Sequence, residues 1–377
     1  MSNTQKKNVP ELRFPGFEGE WEEKKLGDLI KVNSGKDYKH LDKGDIPVYG
    51  TGGYMTSVSE PLSEIDAVGI GRKGTINKPY LLEAPFWTVD TLFYCTPKKE
   101  ADILFILSLF RKINWKLYDE STGVPSLSKQ TINKINRLVP TNKEQQKIGE
   151  FFSKLDRQIE LEEQKLELLQ QQKKCYMQKI FSQELRFKDD NGNDYPEWEE
   201  KKLGELSQIV RGASPRPIKD PKWFNKESDI GWLRISDVTD QNGKIYHLEQ
   251  KLSIEGQEKT RVLLTTHLLL SIAASIGKPV MNFVKTGVHD GFLIFLNPKF
   301  NIFFMYYWLD YFKEKWSKYG QPGSQVNLNS EIVKSQTLNM PSNHEQEKVG
   351  LFFNRNEKLI ELQQEKIMYL KRRKQAL

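Results

Sequence analysis

The chain has only two cysteines, Cys95 and Cys175, in 377 residues. That excludes a disulfide framework and any cysteine-based zinc cluster. Its five histidines (His40, His247, His267, His289, His344) are scattered, with neither HxH nor HExxH spacing, so no metal site is expected. There is no G-K-[ST] for a P-loop. Nor is there an [ND]-P-P-[YF] tetrapeptide of the kind an amino-methyltransferase uses to hold a flipped base; Asn339-Met-Pro-Ser342 comes nearest. The opening stretch MSNTQKKNVPELRF lacks the apolar core of a signal peptide. The longest apolar runs, Ile103–Phe110 and Val262–Ala274, are too short or too broken by Thr265, Thr266 and His267 to span a bilayer. The expected setting is the cytoplasm, with no membrane partner.

What is present supports folded cores: 37% hydrophobic and 11% aromatic residues. Lysine and arginine number 57 against 50 aspartates and glutamates, a net charge of +7. This modest excess permits a polyanionic partner without requiring one.

The chain repeats itself. ELRF at 11–14 recurs at 184–187, and the block Trp21–Leu29 recurs at Trp198–Leu206, an offset of 177. Ile76-Asn-Lys-Pro79 answers Ile276-Gly-Lys-Pro279, and Val89-Asp-Thr-Leu92 answers His289-Asp-Gly-Phe292, both at an offset of 200. Val139-Pro140 answers Met340-Pro341, and EQQKIGEFF at 144–152 answers EQEKVGLFF at 345–353, an offset of 201. The flanks match while the middles diverge. Two sites of one kind with different specificities would produce this pattern; so would duplication followed by drift.

Each copy has two parts. The first is strand-leaning, with Asp66–Ile70 and Phe86–Cys95 in one copy and Gly231–Val238, Leu268–Ala274 and Phe292–Leu296 in the other. Helical stretches are expected at Ile103–Leu117 and Ile302–Trp316. The second part is a long helix. Thr141-x-x-Glu144 and Ser342-x-x-Glu345 read as capping boxes. A heptad frame then runs through Ile148, Phe152, Leu155, Ile159, Glu162, Leu166, Leu169, Lys173, Tyr176 and Ile180, eight of ten apolar. In the second copy it runs through Val349, Phe353, Asn356, Ile360, Gln363, Ile367, Leu370 and Lys374, five of eight apolar. Neither seam is buried alone, so each helix is expected to cover the other. A helix over 142–181 is about 60 Å long at roughly 1.5 Å per residue. Chain connectivity then makes the pair antiparallel. The expected fold is α+β: two globular domains with mixed sheets, 1–140 and 183–341, joined by helices over 141–182 and 342–377 as an antiparallel coiled coil with a pseudo-two-fold repeat.

A spacer holding two diverged, mildly basic modules suits an extended, periodic ligand such as duplex DNA, whose major-groove faces recur about every 34–36 Å. Candidate contacts lie in corresponding loops: Lys36, Tyr38 and Lys39; Arg72 and Lys73; Ser126 and Lys129; and, in the second copy, Arg211, Ser214, Arg216, Arg234, Lys278, Gln321 and Gln325. These residue types contact phosphates and base edges. An ordinary solvated turn is the alternative for each loop.

Several motifs invite other readings. Gly69-x-Gly71-x-x-Gly74 matches a dinucleotide fingerprint, but Pro79 follows and no helix is expected there. The E-x-K of Glu22-Glu23-Lys24 and Glu199-Glu200-Lys201 lacks a suitably spaced aspartate for a nuclease. Cys175 lies beside the seam and is expected to pack.

Two copies opening on EWEEKKLG-type blocks, closing on P-[TS]-x-x-EQ-x-K-[IV]-G-x-F-F and running into a long helix resemble the specificity subunit of a type I restriction-modification system. The resemblance covers essentially the whole chain. It implies that each body is a target recognition domain reading one half of a split double-stranded DNA sequence. It also implies that the helices act as a ruler and dock two methyltransferase subunits, which restriction subunits join. The chain itself would be non-catalytic and without cofactor. S-adenosylmethionine would belong to the methyltransferase, and ATP with magnesium to the restriction subunit. One departure is that the first helix runs past Tyr176 to Phe181, whereas the second copy stops at Leu377, the counterpart of Tyr176. Two readings stay open for this end: weaker helix pairing or subunit docking, or a sequence cut short of its native end. Two other classes remain open: a coiled-coil scaffold whose bodies bind proteins, and an autonomous enzyme on nucleic acid.

Overall fold

The structure is a computed structural model that describes residues 8–273, 276–319 and 328–377. It divides into unit 1, Met1–Glu163 with Lys366–Leu377, and unit 2, Gln164–Glu365. Both boundaries fall inside long helices, Asn142–Phe181 and Asn343–Ala376. Each unit is mixed α+β.

In unit 1 a four-stranded antiparallel sheet has the order Ile30–Ser34, Leu92–Pro97, Ala67–Gly71, Tyr80–Leu82. A second sheet joins Gly53–Val58, Ile46–Gly50 and Trp87–Thr88, the last pair parallel. In unit 2 a five-stranded sheet has the order Gln208–Arg211, Phe292–Leu296, Leu268–Ser271, Pro279–Asn282, Lys244–Ile245. Its companion joins Gly231–Trp232, Thr286–Val288 and Arg261–Leu263.

The repeated EWEEKKLG block is scaffold. Glu22–Lys25 pairs antiparallel with Asn136–Val139, and Glu199–Lys202 with Thr337–Met340, so each copy's beginning is sewn to its end. The E-x-K carboxylates are neutralised along their own strand, Lys24 on Glu22 at 3.1 Å and Lys201 on Glu199 at 2.7 Å. One-turn helices follow, Leu26–Leu29 and Leu203–Leu206, burying Leu26, Leu29, Leu203 and Leu206. The helix Ile103–Lys112 buries only one face. Its counterpart Ile302–Phe312 is apolar nearly all round and lies inside the larger core with Phe295, Trp316 and Phe353.

The long helices start on a clasp rather than on the expected capping boxes. Ser342 Oγ does accept from the Glu345 N–H at 3.4 Å, but the two glutamates do not reach back. Glu144 takes the Arg13 guanidinium at 2.8 and 2.7 Å, and Glu345 takes Arg186 at 3.2 and 2.9 Å plus the Trp198 indole N–H at 2.9 Å. Both carboxylates are buried, so each needs a full counter-charge. The ELRF arm supplies it, and its phenylalanine anchors beside it: Phe14 meets Phe151 edge-on at 5.6 Å and Phe187 meets Phe352 at 5.5 Å. The adjoining glutamines tie the helix to the body. Gln145 accepts from the Asp102 N–H and donates to the Pro140 carbonyl, as Gln346 does with Asn301 and Pro341. Gly149 sits where a Cβ would lie 2.6 Å from the Phe105 nitrogen, so this close crossing requires glycine.

Within each unit the two long helices run antiparallel. In unit 1 Leu155 and Ile159 pack on Leu370, and Asp156 pairs with Lys374 and Arg111, Glu163 with Lys371 at 2.6 Å. In unit 2 Lys173 pairs with Glu357 at 3.3 Å and Tyr176 meets Phe352 at 5.3 Å. The same interhelical pair thus recurs at an offset of 201, Asp156–Lys374 and Lys173–Glu357. Where unit 1 has Arg111 beside it, unit 2 has Asp310, and buried Lys244 restores the balance on Glu357 at 2.6 Å. At the end of the frame Ile180 is buried as expected, joined by Met177 in the core of the body, while Tyr176 is 37% exposed and keeps its edge contact with Phe352. Cys175, expected to pack, lies on the exposed side of the helix, turned from the seam.

Other expectations are corrected. Gly231–Val238 is not one strand. It ends at Trp232, and Ile235–Asp240 is helical because Asp237 accepts the Arg234 N–H at 2.8 Å across its first turn. Ile103–Leu117 and Ile302–Trp316 each finish as a 3-10 turn, at Trp115–Tyr118 and Lys313–Tyr319. Phe86–Cys95 is split by a turn at 89–91 into Trp87–Thr88 and Leu92–Pro97. One expectation in this stretch stands: no helix follows Gly69-x-Gly71-x-x-Gly74, and the next element is the strand Tyr80–Leu82.

Burial raises the Glu357 carboxyl, but Lys173 and Lys244 outweigh it and hold its pKa below the ordinary value. Its stabilising contribution is therefore present above the normal glutamate range and lost as pH falls through the folded-state value. Glu357→Gln, which leaves Lys244 buried and underpaired, is expected to destabilise unit 2 by about 3–5 kcal/mol at pH 7. The difference from wild type should shrink in acid. Urea denaturation followed by tryptophan fluorescence at several pH values checks both.

Candidate nucleic-acid interface

In unit 1 the candidate loops converge on the turn that splits Phe86–Cys95. The Gly35 N–H donates to the Leu92 carbonyl and the Lys36 N–H to the Thr88 carbonyl. The Arg72 and Lys73 N–H groups both donate to the Thr91 carbonyl. Leu127 N–H closes the third loop onto the Arg72 carbonyl, and Lys73 bridges Ser126. Lys36, Lys39, Arg72, Lys73 and Lys129 are exposed. The Arg72 guanidinium lies 5.9 Å and the Lys129 ammonium 6.0 Å from the Phe93 ring centre, a cation–π platform shared by two loops. Ser126 is half-buried, and its N–H donates to Asp119 at 2.9 Å, so it braces the loop. The Asp119 carboxyl is held below the ordinary value by the Ser126 and Ser121 hydrogen bonds. Tyr38 is half-buried against the cluster of Val48, Val58 and Trp87.

Unit 2 builds the same turn. The Gly212 N–H donates to the Phe292 carbonyl, Ala213 to Val288 and Ile272 to Gly291, the counterparts of the Gly35, Lys36 and Arg72 bonds. A Cβ on Gly35 or Gly212 would lie 2.0 or 2.1 Å from the carbonyl oxygen of Val89 or His289, so both docked loops need glycine at this point. The side chains differ on this common frame. At the Arg72 position unit 2 has Ile272. Yet the carbonyl that Arg72 Nη1 reaches at 3.4 Å, that of Asp90, is matched by the carbonyl of Asp290, to which Arg211 Nε donates at 2.6 Å. One peptide oxygen is thus capped by arginines from two different loops. Ser214 and Arg216 bind the Asp290 carboxylate at 2.8 and 2.7 Å. His289 underpins the turn: its Nδ1 accepts the Gly291 N–H at 2.9 Å, and its ring lies between Trp232 and Phe292. Burial lowers its pKa against the opposing pull of Asp290, which keeps the imidazole neutral at pH 7 and fixes Nδ1 as the acceptor.

The remaining residues lie elsewhere. Arg234 forms a fork on Asp237 and stands 3.7 Å from Glu249. Lys278 donates to the Val238 carbonyl at 3.2 Å; burial, with Lys313 second, lowers its pKa. Gln321 and Gln325 fall outside the described residues. Sequence reasoning missed Arg261, whose Nε donates to the Arg211 carbonyl at 2.8 Å and which adds an exposed cation to this edge. It also missed the role of Phe93. A cation at the start of a strand and an aromatic inside one carry no distinguishing signal.

Among the described residues no cluster of histidine, cysteine, aspartate and glutamate is arranged to hold a metal ion, and no helix is long and apolar enough to cross a membrane.

The fold and loop clusters define a class: a tandem-duplicated α+β protein in which each copy closes on a long helix and carries basic loops around one turn. The model of the type I restriction modification DNA specificity domain matches the chain twice, over residues 18–171 and 195–372. The chain belongs to that family and is a type I restriction-modification DNA specificity subunit. It is 23% identical over 337 residues to the type I restriction enzyme MjaVIII specificity subunit of Methanocaldococcus jannaschii, covering 84% of this chain and 75% of that one. The crystal structure of a type I restriction-modification S subunit from M. genitalium matches 98% of this chain and 97% of its own, at a TM-score of 0.66 and 13% identity. A chain from a study of assembly and conformational transition of the type I system matches 97% of each, at a TM-score of 0.55 and 16% identity. At these identities the likeness speaks to the fold.

Arg72→Ala and Arg216→Ala are each expected to weaken specific DNA binding by about 1–3 kcal/mol if the side chains contact bases. Competition binding by the assembled complex, with specific against non-specific duplex, measures this. An unchanged ratio removes the residue from the interface.

Proposed function

We propose that residues 1–140 and 183–341 are two recognition domains, each reading one half of a bipartite DNA target. The helices over 141–182 and 342–377 set the distance between the half-sites. They also dock two methyltransferase subunits, through which restriction subunits join. The chain contributes specificity. Adenine methylation from S-adenosylmethionine, and ATP- and magnesium-dependent restriction, belong to those partners.

One observation carries this reading above the others. The two units keep the same backbone frame around 89–92 and 289–292, down to the capped peptide oxygen, and fill it with different loops and side chains. Drift alone has no reason to preserve the frame and its arginine cap while exchanging which loop supplies the arginine. Two readers of different half-sites need this: a fixed platform against the duplex and a variable set of contacts on it. The exposed lysines and arginines around the turn supply phosphate neutralisation, so binding should fall steeply with salt.

Two outcomes test the reading. The purified chain with S-adenosylmethionine and DNA should transfer no methyl groups until a methyltransferase subunit is added; methylation by the chain alone overturns it in favour of an enzyme. Inserting one heptad into each long helix, within 155–175 and opposite it, adds about 10.5 Å at roughly 1.5 Å per residue. That should lengthen the unread gap in the methylated motif by about 3 base pairs, at roughly 3.4 Å each, with both half-sites unchanged. A changed half-site sequence counts against the ruler, and a reconstituted complex that binds no bipartite DNA favours a protein-binding scaffold.

A further inference from the structure

Both units carry an aspartate in the same turn, Asp90 and Asp290, and use it differently. The Asp290 carboxylate is committed: Ser214 Oγ donates to one oxygen and Arg216 Nη2 to the other. In unit 1 the counterparts of Ser214 and Arg216, at the offset of 177 that relates Gly35 to Gly212, are Asp37 and Lys39. Asp37 is turned to its own loop, accepting the Lys39 N–H at 3.4 Å. Asp90 is exposed, and its carboxylate forms no hydrogen bond or ion pair with the described residues. The cations at this turn bind the backbone beside it. Arg72 reaches the Asp90 carbonyl, and the Arg72 and Lys73 N–H groups go to the Thr91 carbonyl.

Asp90 therefore stands as an uncommitted anion on the turn where the loops of Lys36, Arg72, Lys73 and Lys129 meet. On a surface that only bound phosphates it would be a defect, because it repels them and holds nothing in the fold. A carboxylate there is useful toward a donor. The hydrogen-bond donors that a duplex offers in its major groove are the exocyclic amines, N4 of cytosine and N6 of adenine, and aspartate accepts most characteristically from cytosine N4. Resting on the reading that unit 1 contacts DNA bases, we propose that Asp90 is a specificity-determining residue of unit 1 that accepts a hydrogen bond from a base's exocyclic amine. In unit 2 the same position has been converted into a brace for Arg216.

The test uses the chain reconstituted with its methyltransferase subunit and S-adenosylmethionine, with the methylated motif read by sequencing of treated genomic DNA. Asp90→Ala should relax a single base pair in one half-site only, lowering discrimination there by about 5- to 100-fold. The other half-site should stay as in wild type, and non-specific duplex should bind at least as tightly because a negative charge is gone. Asp90→Asn keeps the shape and should shift preference at that same base pair toward adenine; whether cytosine or adenine stands there in the wild-type motif identifies the amine. The proposal is overturned if Asp90→Ala keeps the wild-type motif, or if it relaxes both half-sites together. A wild-type complex that methylates no two-part motif overturns the reading beneath it and this proposal with it, and is distinguished by the wild-type arm alone.

Discussion

The buried carboxylate at the head of each long helix is the constraint on which the rest hangs. Glu144 and Glu345 are buried charges, so each must hold an arginine, and the arginines come from the ELRF arms. In one interaction the arm is drawn across the helix start, its phenylalanine is brought onto the helix, and the helix is joined to its body. The neighbouring glutamines add the second tie, and Gly149 and Gly350 permit the close crossing. Helix direction relative to each body follows from these contacts. So does the placement of the seam residues that meet the partner helix.

A rigid frame of that kind frees the loops. In both units the turn at 89–92 or 289–292 is held by backbone hydrogen bonds and by a glycine pressed against a carbonyl, so its geometry does not depend on the exposed side chains. Unit 1 places Arg72 and Lys129 around Phe93, whereas unit 2 sets Arg211 and Arg216 on Asp290 and Arg261 on the Arg211 carbonyl. The same economy operates in the helix pair. The ion pair Asp156–Lys374 recurs as Lys173–Glu357, and the charge reversal from Arg111 to Asp310 is balanced by bringing in Lys244. Scaffold contacts are kept; charge identities around them are exchanged.

Much of the architecture was legible in the residues because repeats and heptads are linear signals. The offsets of 177, 200 and 201 mark equivalent positions, and the 4-3 apolar spacing marks helices that must pair. The split of Phe86–Cys95 by a turn was not legible, since Val89-Asp-Thr resembles strand sequence and only its cross-loop bonds reveal the bend. The helix at Ile235–Asp240 was hidden for a similar reason: its β-branched residues favour strand, and Asp237 on the Arg234 N–H decided otherwise.

The sequence by itself determined the duplication, the α+β heads, the two long amphipathic helices and the family, because each of these is written in spacing along the chain. Only the tertiary structure decided that the EQ motif clasps an arginine rather than caps a helix. It alone brought three separated loops of unit 1 to one turn, and it alone left Asp90 free where Asp290 is bound. Those outcomes depend on which polar group finds which partner across 70 to 160 residues of chain, as for Arg211 on the Asp290 carbonyl or Arg186 on buried Glu345. Local pattern carries no record of such long-range pairing.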